Sequence, residues 1–377
     1  MRNESVRNGA VRDAAPNGAV ANGAVPNGAV RNELAPEEFA ALSAKEKKRA
    51  RRWYLPDAPA RLAGPVIDNH THIWVPAGEG QAGGSGSATA AHSASASASP
   101  GRAALTPPRG RMLPSEEAAA MDAAGVCHAI TCACEVPDLL PTVAVAEADR
   151  AHFSAALAIH PNEAARHRGI TATGPDGLAQ ELAAHHTLSL EDAIGRVAEA
   201  ARSSAVVAIG ETGLDYFRTS EEGRAAQIEA FRAHLALARE LDLPVQIHDR
   251  EAHADCVEVL RRDGAPSRVV FHAFSGDAAL AELCTQEGWY GSFGGQMTYP
   301  ANDQLRAAFQ AFDPALLLAE TDAPYLTPVP WRGHPNAPYV MAWTVRFGAE
   351  LRGVSEADWC AQLLENTRAV YGELGAA

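Results

Sequence analysis

Six residues of this 377-residue chain stand out by type and by place: His70, His72, Glu211, His248, His272 and Asp322. Imidazoles with carboxylates suit zinc, manganese, nickel or iron, whereas carboxylate with water suits magnesium. His70 and His72 are two apart, and in extended chain such residues point to the same side, so both rings can reach one ion. Taken singly these signals are weak. A lone His-x-His is more often structural, and a lone Glu211 would serve as a helix cap. Their placement is stronger, because five short apolar, β-branched runs each end in an imidazole or a carboxylate. Four imidazoles and two acids exceed the three or four protein ligands that one catalytic ion needs. The surplus predicts a two-ion centre bridged by Glu211. Ions about 3.5–4 Å apart activate a water and clamp both the attacking and leaving oxygens of a phosphodiester. Asp322 would orient that water and accept its proton, making Asp322 and Glu211 the catalytic pair.

The elements that must position these residues are legible in the hydrophobic pattern. Candidate strands fall at 66–68, 127–131, 154–159, 206–210, 245–248, 269–272, 289–293 and 316–319. Helical periods lie between them, as at 227–241, where Ile228, Phe231, Leu235 and Ala238 share a face. Similar patterns occupy 190–201 and 278–287. Strands alternating with helices predict a parallel sheet, and eight units predict a closed (β/α)8 TIM barrel. An open doubly wound sheet is the alternative, but no Gly-rich phosphate loop follows the first strand. In such a barrel active sites sit at the C-terminal ends of the strands, where the six residues fall.

The flanks are of another kind. Asn-Gly-Ala-Val occurs four times, from Asn8, Asn17, Asn22 and Asn27, which is too short and Gly-rich a repeat to build a core. A basic run, Lys45 to Arg52, reads as a short helix with a solvated face. Residues 1–60 are therefore expected to form a disordered, basic extension, and 61–377 the barrel. A Gly/Ser/Ala-rich stretch at 77–110 reads as a flexible insertion, and His92 within it is given no role. The first 64 residues carry 11 Lys or Arg and 7 Asp or Glu, a net +4, which leaves −18 for the rest of a −14 chain. So acidic a body excludes a protein whose main task is coating nucleic acid, though not an enzyme that meets phosphate through metal. Hydrophobic residues at 47% allow a sizeable core. Six cysteines are too sparse for a disulfide scaffold, so Cys132 and Cys134 are expected to be buried thiols in a reducing compartment. With no apolar run of about 18 residues and no signal-peptide core, a cytoplasmic protein without membrane contact is expected.

Seven blocks in order carry a family resemblance. Asp68-Asn69-His70-Thr71-His72 looks like the opening D-x-H-x-H of the TatD-type metal-dependent hydrolases. Ile159-His160-Pro161, Gly210-Glu211-Thr212-Gly213-Leu214-Asp215-Tyr216, Ile247-His248-Asp249-Arg250-Glu251-Ala252 and His272-Ala273-Phe274-Ser275-Gly276 resemble the blocks that follow. So do Glu320-Thr321-Asp322-Ala323-Pro324-Tyr325-Leu326-Thr327-Pro328 and the segment from Arg332 to Pro338. The resemblance spans residues 66 to 371. It implies a barrel of the metal-dependent hydrolase type and two divalent ions (Mg, Mn or Zn). The implied activity is that of a deoxyribonuclease of the 3'–5' exonuclease type, on single-stranded DNA or DNA ends, with no obligate protein partner. Its metal ligands would be His70, His72, Glu211, His248, His272 and Asp322, the six already reached from the strand ends.

Substrate contact is assigned to His160, Tyr216, Arg250 and Asn336. His160 would touch a phosphate or pack. Tyr216 would stack on a base or line the wall. Arg250 would grip a phosphate or hold Asp249 or Asp215. Asn336 would also fix the loop after the eighth strand. His167, His185, His186 and His234 are placed on polar helices or loops and left without a role. The chain departs from the resemblance in its tail, in the insertion after His72 and in an added segment at 169–187, all of which bear on substrate range. Two rival functions follow. One is a metal hydrolase of a small ester, amide or lactone, which a lysine in place of Glu211 on the fourth strand would have favoured. The other is a degenerate, non-catalytic barrel, which the intact set of six disfavours.

Overall fold

The computed structural model describes residues 34–75 and 107–375. The Asn-Gly-Ala-Val repeats and the low-complexity stretch up to residue 106 lie outside the described residues.

Eight strands form one parallel sheet in the order β1 to β8: Val66–Thr71, Val126–Ala133, Phe153–Leu157, Val206–Asp215, Val245–Arg250, Val269–Phe271, Tyr290–Phe293 and Leu317–Ala319. Between them run α3 (Pro114–Ala124), α4 (Val136–Ala148), α5 (Pro161–His167), α6 (Leu190–Ala200), α7 (Arg224–Glu240), α8 (His253–Asp263), α9 (Ala278–Glu287) and α10 (Asp303–Ala311), after the N-terminal α1 (Pro36–Ala41) and α2 (Ala44–Ala50). Two further helices, α11 (Met341–Arg352) and α12 (Glu356–Tyr371), complete the chain. Backbone bonds close the sheet into a barrel. The Asp322 N–H donates to the His70 carbonyl at 2.9 Å, and the His72 N–H to the Ala323 carbonyl at 2.8 Å. Asp68 reinforces this seam by accepting from the Thr321 N–H (2.8 Å) and hydroxyl (2.5 Å).

The strands carry few alternating polar residues because both of their faces are covered. One face packs on the helices. The other fills the barrel with Ile130, Cys132, Ala156, Ala208, Val270 and Leu318, joined by Val370 and Tyr371 of α12. The Tyr371 hydroxyl accepts from Gln246 Nε2 at 2.9 Å, which ties α12 to the interior.

Two strands carry an extra residue where site side chains leave them. On β1, Asp68 pairs with Ala129 and Thr71 with Thr131. On β4, Ile209 pairs with Val245 and Thr212 with Ile247. Such bulges re-aim side chains near active sites. Here they fall at Asn69–His70 and Gly210–Glu211. β4 also runs to Asp215, well past the Gly210 expected from hydrophobicity, because its polar end is buried by neighbours rather than bounded by solvent.

The N-terminal expectation needs correction from residue 34 onward. Residues 34–60 are built into the structure as α1, α2 and a packed connection. Ser43 and Glu46 form a capping box at the start of α2. The Phe39 ring stacks on Tyr54 at 4.0 Å, Leu55 is buried in the core, and the Tyr54 carbonyl accepts from His334 Nδ1 at 2.8 Å. His234 also differs from its expected polar setting. It is fully buried, with Nε2 accepting from the Ile159 N–H at 3.2 Å and Nδ1 bonded to the Ala230 carbonyl. Burial brings its pKa down to about 4. Among the described residues no helix is long and apolar enough to cross a membrane.

Candidate metal centre

The six candidate side chains meet at the C-terminal mouth of the barrel. His70 and His72 come from the end of β1, Glu211 from β4, His248 from β5, His272 from just past β6 and Asp322 from just past β8. Glu211 lies at the middle and is nearly fully buried. Its Oε1 is 3.8 Å from His70 Nε2 and 3.4 Å from His72 Nε2. Its Oε2 is 2.9 Å from His248 Nδ1 and 2.7 Å from His272 Nε2. Asp322 Oδ1 lies 3.4 Å from His72 Nε2. Asp322 is held in the left-handed backbone region (φ 53°), which costs energy for a non-glycine residue but is tolerated best by Asp and Asn. The barrel seam fixes it there through its bond to the His70 carbonyl.

Three of the four histidines have the outer nitrogen hydrogen-bonded, and the fourth turns it toward a carboxylate. His70 Nδ1 donates to Gln246 Oε1 at 2.9 Å. The amide is oriented by its own Nε2, which donates to the Asn69 carbonyl and to Tyr371. His72 Nδ1 donates to the Cys132 carbonyl at 3.2 Å, and His248 Nε2 to Asp215 Oδ2 at 3.2 Å. His272 Nδ1 faces the buried Glu320 at 3.4 Å. This arrangement fixes the tautomer so that the inner nitrogen is the one left for a cation, as in most metal-ligating histidines. The donor set therefore fits divalent metal: four inward imidazole nitrogens and two carboxylates.

The charges of the cluster agree. Burial pushes His248 down, but Asp215 and Glu211 outweigh it and leave its pKa at about 9. Burial likewise opposes the charge on His272, and Glu211 and Glu320 override it, so its pKa is raised. Burial would raise Glu211, yet His272, His160 and His248 hold it well below the usual carboxylate range. Protons on these rings must leave when an ion arrives.

The four residues expected to touch substrate separate. His160 joins the centre, with Nε2 at 3.7 Å from Glu211 Oε2 and its ring 4.5 Å from His248. Its Nδ1 accepts from the Asn162 N–H at 3.1 Å, so Nε2 carries the proton and points inward as a donor. Burial lowers its pKa to about 4, which keeps the ring neutral. Tyr216 forms wall, its hydroxyl donating to Asp255 at 2.7 Å under the Arg224 guanidinium. Arg250 is exposed at the rim with its guanidinium 4.2 Å over the Phe217 ring. Asn336 is buried and braces the loop after β8, donating to the Thr321 and Tyr325 carbonyls at 2.8 and 2.7 Å.

Sequence reasoning gave Gln246 and Glu320 no role at the centre, named Asp215 only as a group for Arg250 to hold, and took Cys134 only as a buried thiol. The Cys134 thiol, just past β2, donates to Glu211 Oε1 at 3.3 Å. The signal available was position: Glu320 is two residues before Asp322, Gln246 two before His248, and Cys134 directly follows a strand end.

With this geometry in place, sequence comparison is decisive. The family profile described as TatD related DNase matches residues 67–372, a span that holds all six side chains. The chain belongs to this family. Among TatD relatives, "Uncharacterized metal-dependent hydrolase TatD" of Mycobacterium tuberculosis is 37% identical over 254 residues, covering 66% of this chain and 88% of the relative. "3'-5' ssDNA/RNA exonuclease TatD" of Erwinia amylovora is 39% identical over 179 residues, 46% of this chain and 68% of that one. The solved structure of YJJV, a TatD homolog from Escherichia coli, superposes with a TM-score of 0.57 at 29% identity, covering 68% of this chain and 90% of its own. The chain is thus a TatD-family metal-dependent hydrolase on a TIM-barrel fold.

Proposed function

We propose that this TatD-family chain is a two-metal phosphodiesterase that removes nucleotides from single-stranded DNA or DNA ends in the 3'–5' direction. The observation that carries the reading is the division of labour at Glu211. One oxygen serves the His70/His72 pair and the other the His248/His272 pair. A carboxylate so placed suits a bridge between two cations, with Asp322 completing the first pair and the metal ligands being His70, His72, Glu211, His248, His272 and Asp322. Two divalent ions, when bound, lower the pKa of a water and offset charge on the phosphoryl oxygens.

The chain's own residues supply the rest. Asp322 takes the proton of the attacking water. His160 offers a neutral N–H beside the centre, which suits an anionic phosphate oxygen and not a cation. Tyr325, exposed at the rim with its ring 6.5 Å from His72, gives a face on which a terminal base can stack. The acidic body favours a short contact at a chain end over a long duplex track, because each neutralised phosphate needs a cationic partner. The Erwinia relative's description as a 3'–5' ssDNA/RNA exonuclease supports the same reading.

The test uses metal-stripped protein refilled with Mn or Mg. A 5'-labelled linear single strand should give a descending ladder while a circular strand stays intact. EDTA and Asp322→Ala should each abolish the ladder. Turnover of a model ester or lactone with every nucleic acid left uncut would overturn the proposal and place the chain among small-molecule hydrolases.

A further inference from the structure

A second group of metal-binding side chains lies beside the mouth, in and around the added segment at 169–187. His167 ends α5, and His185 and His186 lie in a 3-10 turn, Ala184–Thr187. One ligand atom from each of these three histidines lies within 4.8 Å of the others, and Glu135, Glu163 and His185 meet the same criterion. His185 Nε2 stands between two carboxylates, 3.3 Å from Glu163 Oε2 and 3.5 Å from Glu135 Oε2.

The local bonding assigns different roles to the three rings. His186 Nδ1 accepts from the Ala183 N–H at 2.7 Å, so its Nε2 carries a proton and donates to Glu163 Oε2, also at 2.7 Å. It orients the carboxylate and is not itself a ligand. His167 is the reverse case. Its Nδ1 donates to the Leu188 carbonyl at 3.0 Å, which leaves Nε2 as a bare lone pair. That nitrogen is buried and has no hydrogen-bond partner among the described residues, in a residue only 7% exposed. A backbone carbonyl on one ring nitrogen and an open lone pair on the other is how metal-ligating histidines are held.

An ion-pair cluster alone would also knit the segment down, and Arg166 does pair with Glu163. Such a cluster leaves the unsatisfied His167 nitrogen unexplained. A cation accepted by that lone pair answers it.

We propose that His185, Glu163 and Glu135 form a cation site separate from the strand-end centre, with the bare His167 nitrogen beside His185 as its fourth donor, taking a zinc-type divalent ion. The ion staples the added segment to α5 and to the start of α4. Two imidazoles and two carboxylates suit zinc, iron or manganese better than magnesium or calcium, whose preferred ligands are all oxygen. Four protein ligands with no open position is the pattern of a structural ion rather than a catalytic one. The site does not depend on how many ions the strand-end centre holds.

The test counts ions on the full chain. Metal-stripped protein is titrated with Zn(II) alone, and bound zinc is measured by elemental mass spectrometry after desalting. The variant His167→Gln/His185→Gln should bind one equivalent less than the parent. His70→Ala/His72→Ala should lose zinc from the strand-end centre while keeping the equivalent that the first variant lacks. Equal zinc content in the parent and in His167→Gln/His185→Gln would overturn the proposal. Zinc-soaked crystals of the unmodified protein give a reading that needs no variant. An anomalous peak between His167 and His185 is expected, and its absence at full occupancy of the strand-end centre would overturn the site.

Discussion

At the scale of single residues, the histidines of the mouth divide by which nitrogen they turn inward. His70, His72 and His248 have their outer nitrogens hydrogen-bonded, His272 turns its own toward Glu320, and all four offer a lone pair inward, whereas His160 offers a proton. The two kinds should respond differently to substitution. Glu320→Gln removes the carboxylate facing His272 Nδ1, and a change of this kind weakens metal affinity about 10–100-fold. Dialysis against a competing chelator reads this directly, and unchanged affinity would show that Glu320 does not tune the ligand. His160→Phe should leave ion content at the parental level and lower kcat/KM about 100-fold, the usual cost of losing one donor to a developing oxyanion. A loss of bound metal in His160→Phe would instead mark it as a ligand. The six candidate ligands were legible in the sequence because each bears chemistry at a strand end. Gln246, Glu320 and Asp215 were not, since their work is done through contacts across strands that no local pattern records.

At the scale of elements, the hydrophobic runs located all eight strands, because a parallel strand buried on both faces is a short continuous apolar run. They did not reveal where β4 stops. Its last residues, Glu211 to Asp215, are polar or glycine apart from Leu214, yet buried, and their partner is β5 rather than solvent. Gly213 shows how tight that pairing is. It adopts φ 139°, and a Cβ there would stand 2.2 Å from the His248 carbonyl oxygen. Gly213→Ala should therefore push β5 away from β4 at the very step that sets His248 against Glu211. The expected cost exceeds about 1 kcal/mol, since both the backbone conformation and the space are wrong for alanine. Thermal melting should show a lower Tm, and zinc titration a weaker strand-end centre. A variant with parental Tm and affinity would mean that the two strands are free to shift at this point. The segment at 169–187 was visible only as an addition. Its docking through Asp176 to Arg218 (2.8 Å) and Gln180 to the Arg218 carbonyl (2.8 Å) depends on a loop distant in sequence.

At the scale of the whole molecule, acidity and buried titratable groups couple stability to pH. His248 has a folded pKa of about 9 against an unfolded value near 6.5, so its contribution is complete below about pH 6.5 and is lost as pH rises through 9. Glu135 and Glu117 are both raised to about 8, chiefly by burial, from unfolded values near 4.3. They keep their protons in the folded chain, and what they contribute at low pH disappears as pH approaches 8. His160 and His234, lowered to about 4, work the other way, but their contributions are lost only as pH falls from about 6.5 toward 4. Between pH 6.5 and 9 His248, Glu135 and Glu117 all lose stabilisation as pH rises. Chelator-treated protein should lose several degrees of Tm across that window. Zinc-loaded protein should lose less, because the ion takes the place of the protons on the inward nitrogens and binds more tightly as they dissociate. The gap in Tm between the two preparations should therefore widen with pH. Parallel melting curves at every pH would mean that protons and metal do not compete for the same imidazoles, and the tautomers assigned to the centre would have to be redrawn.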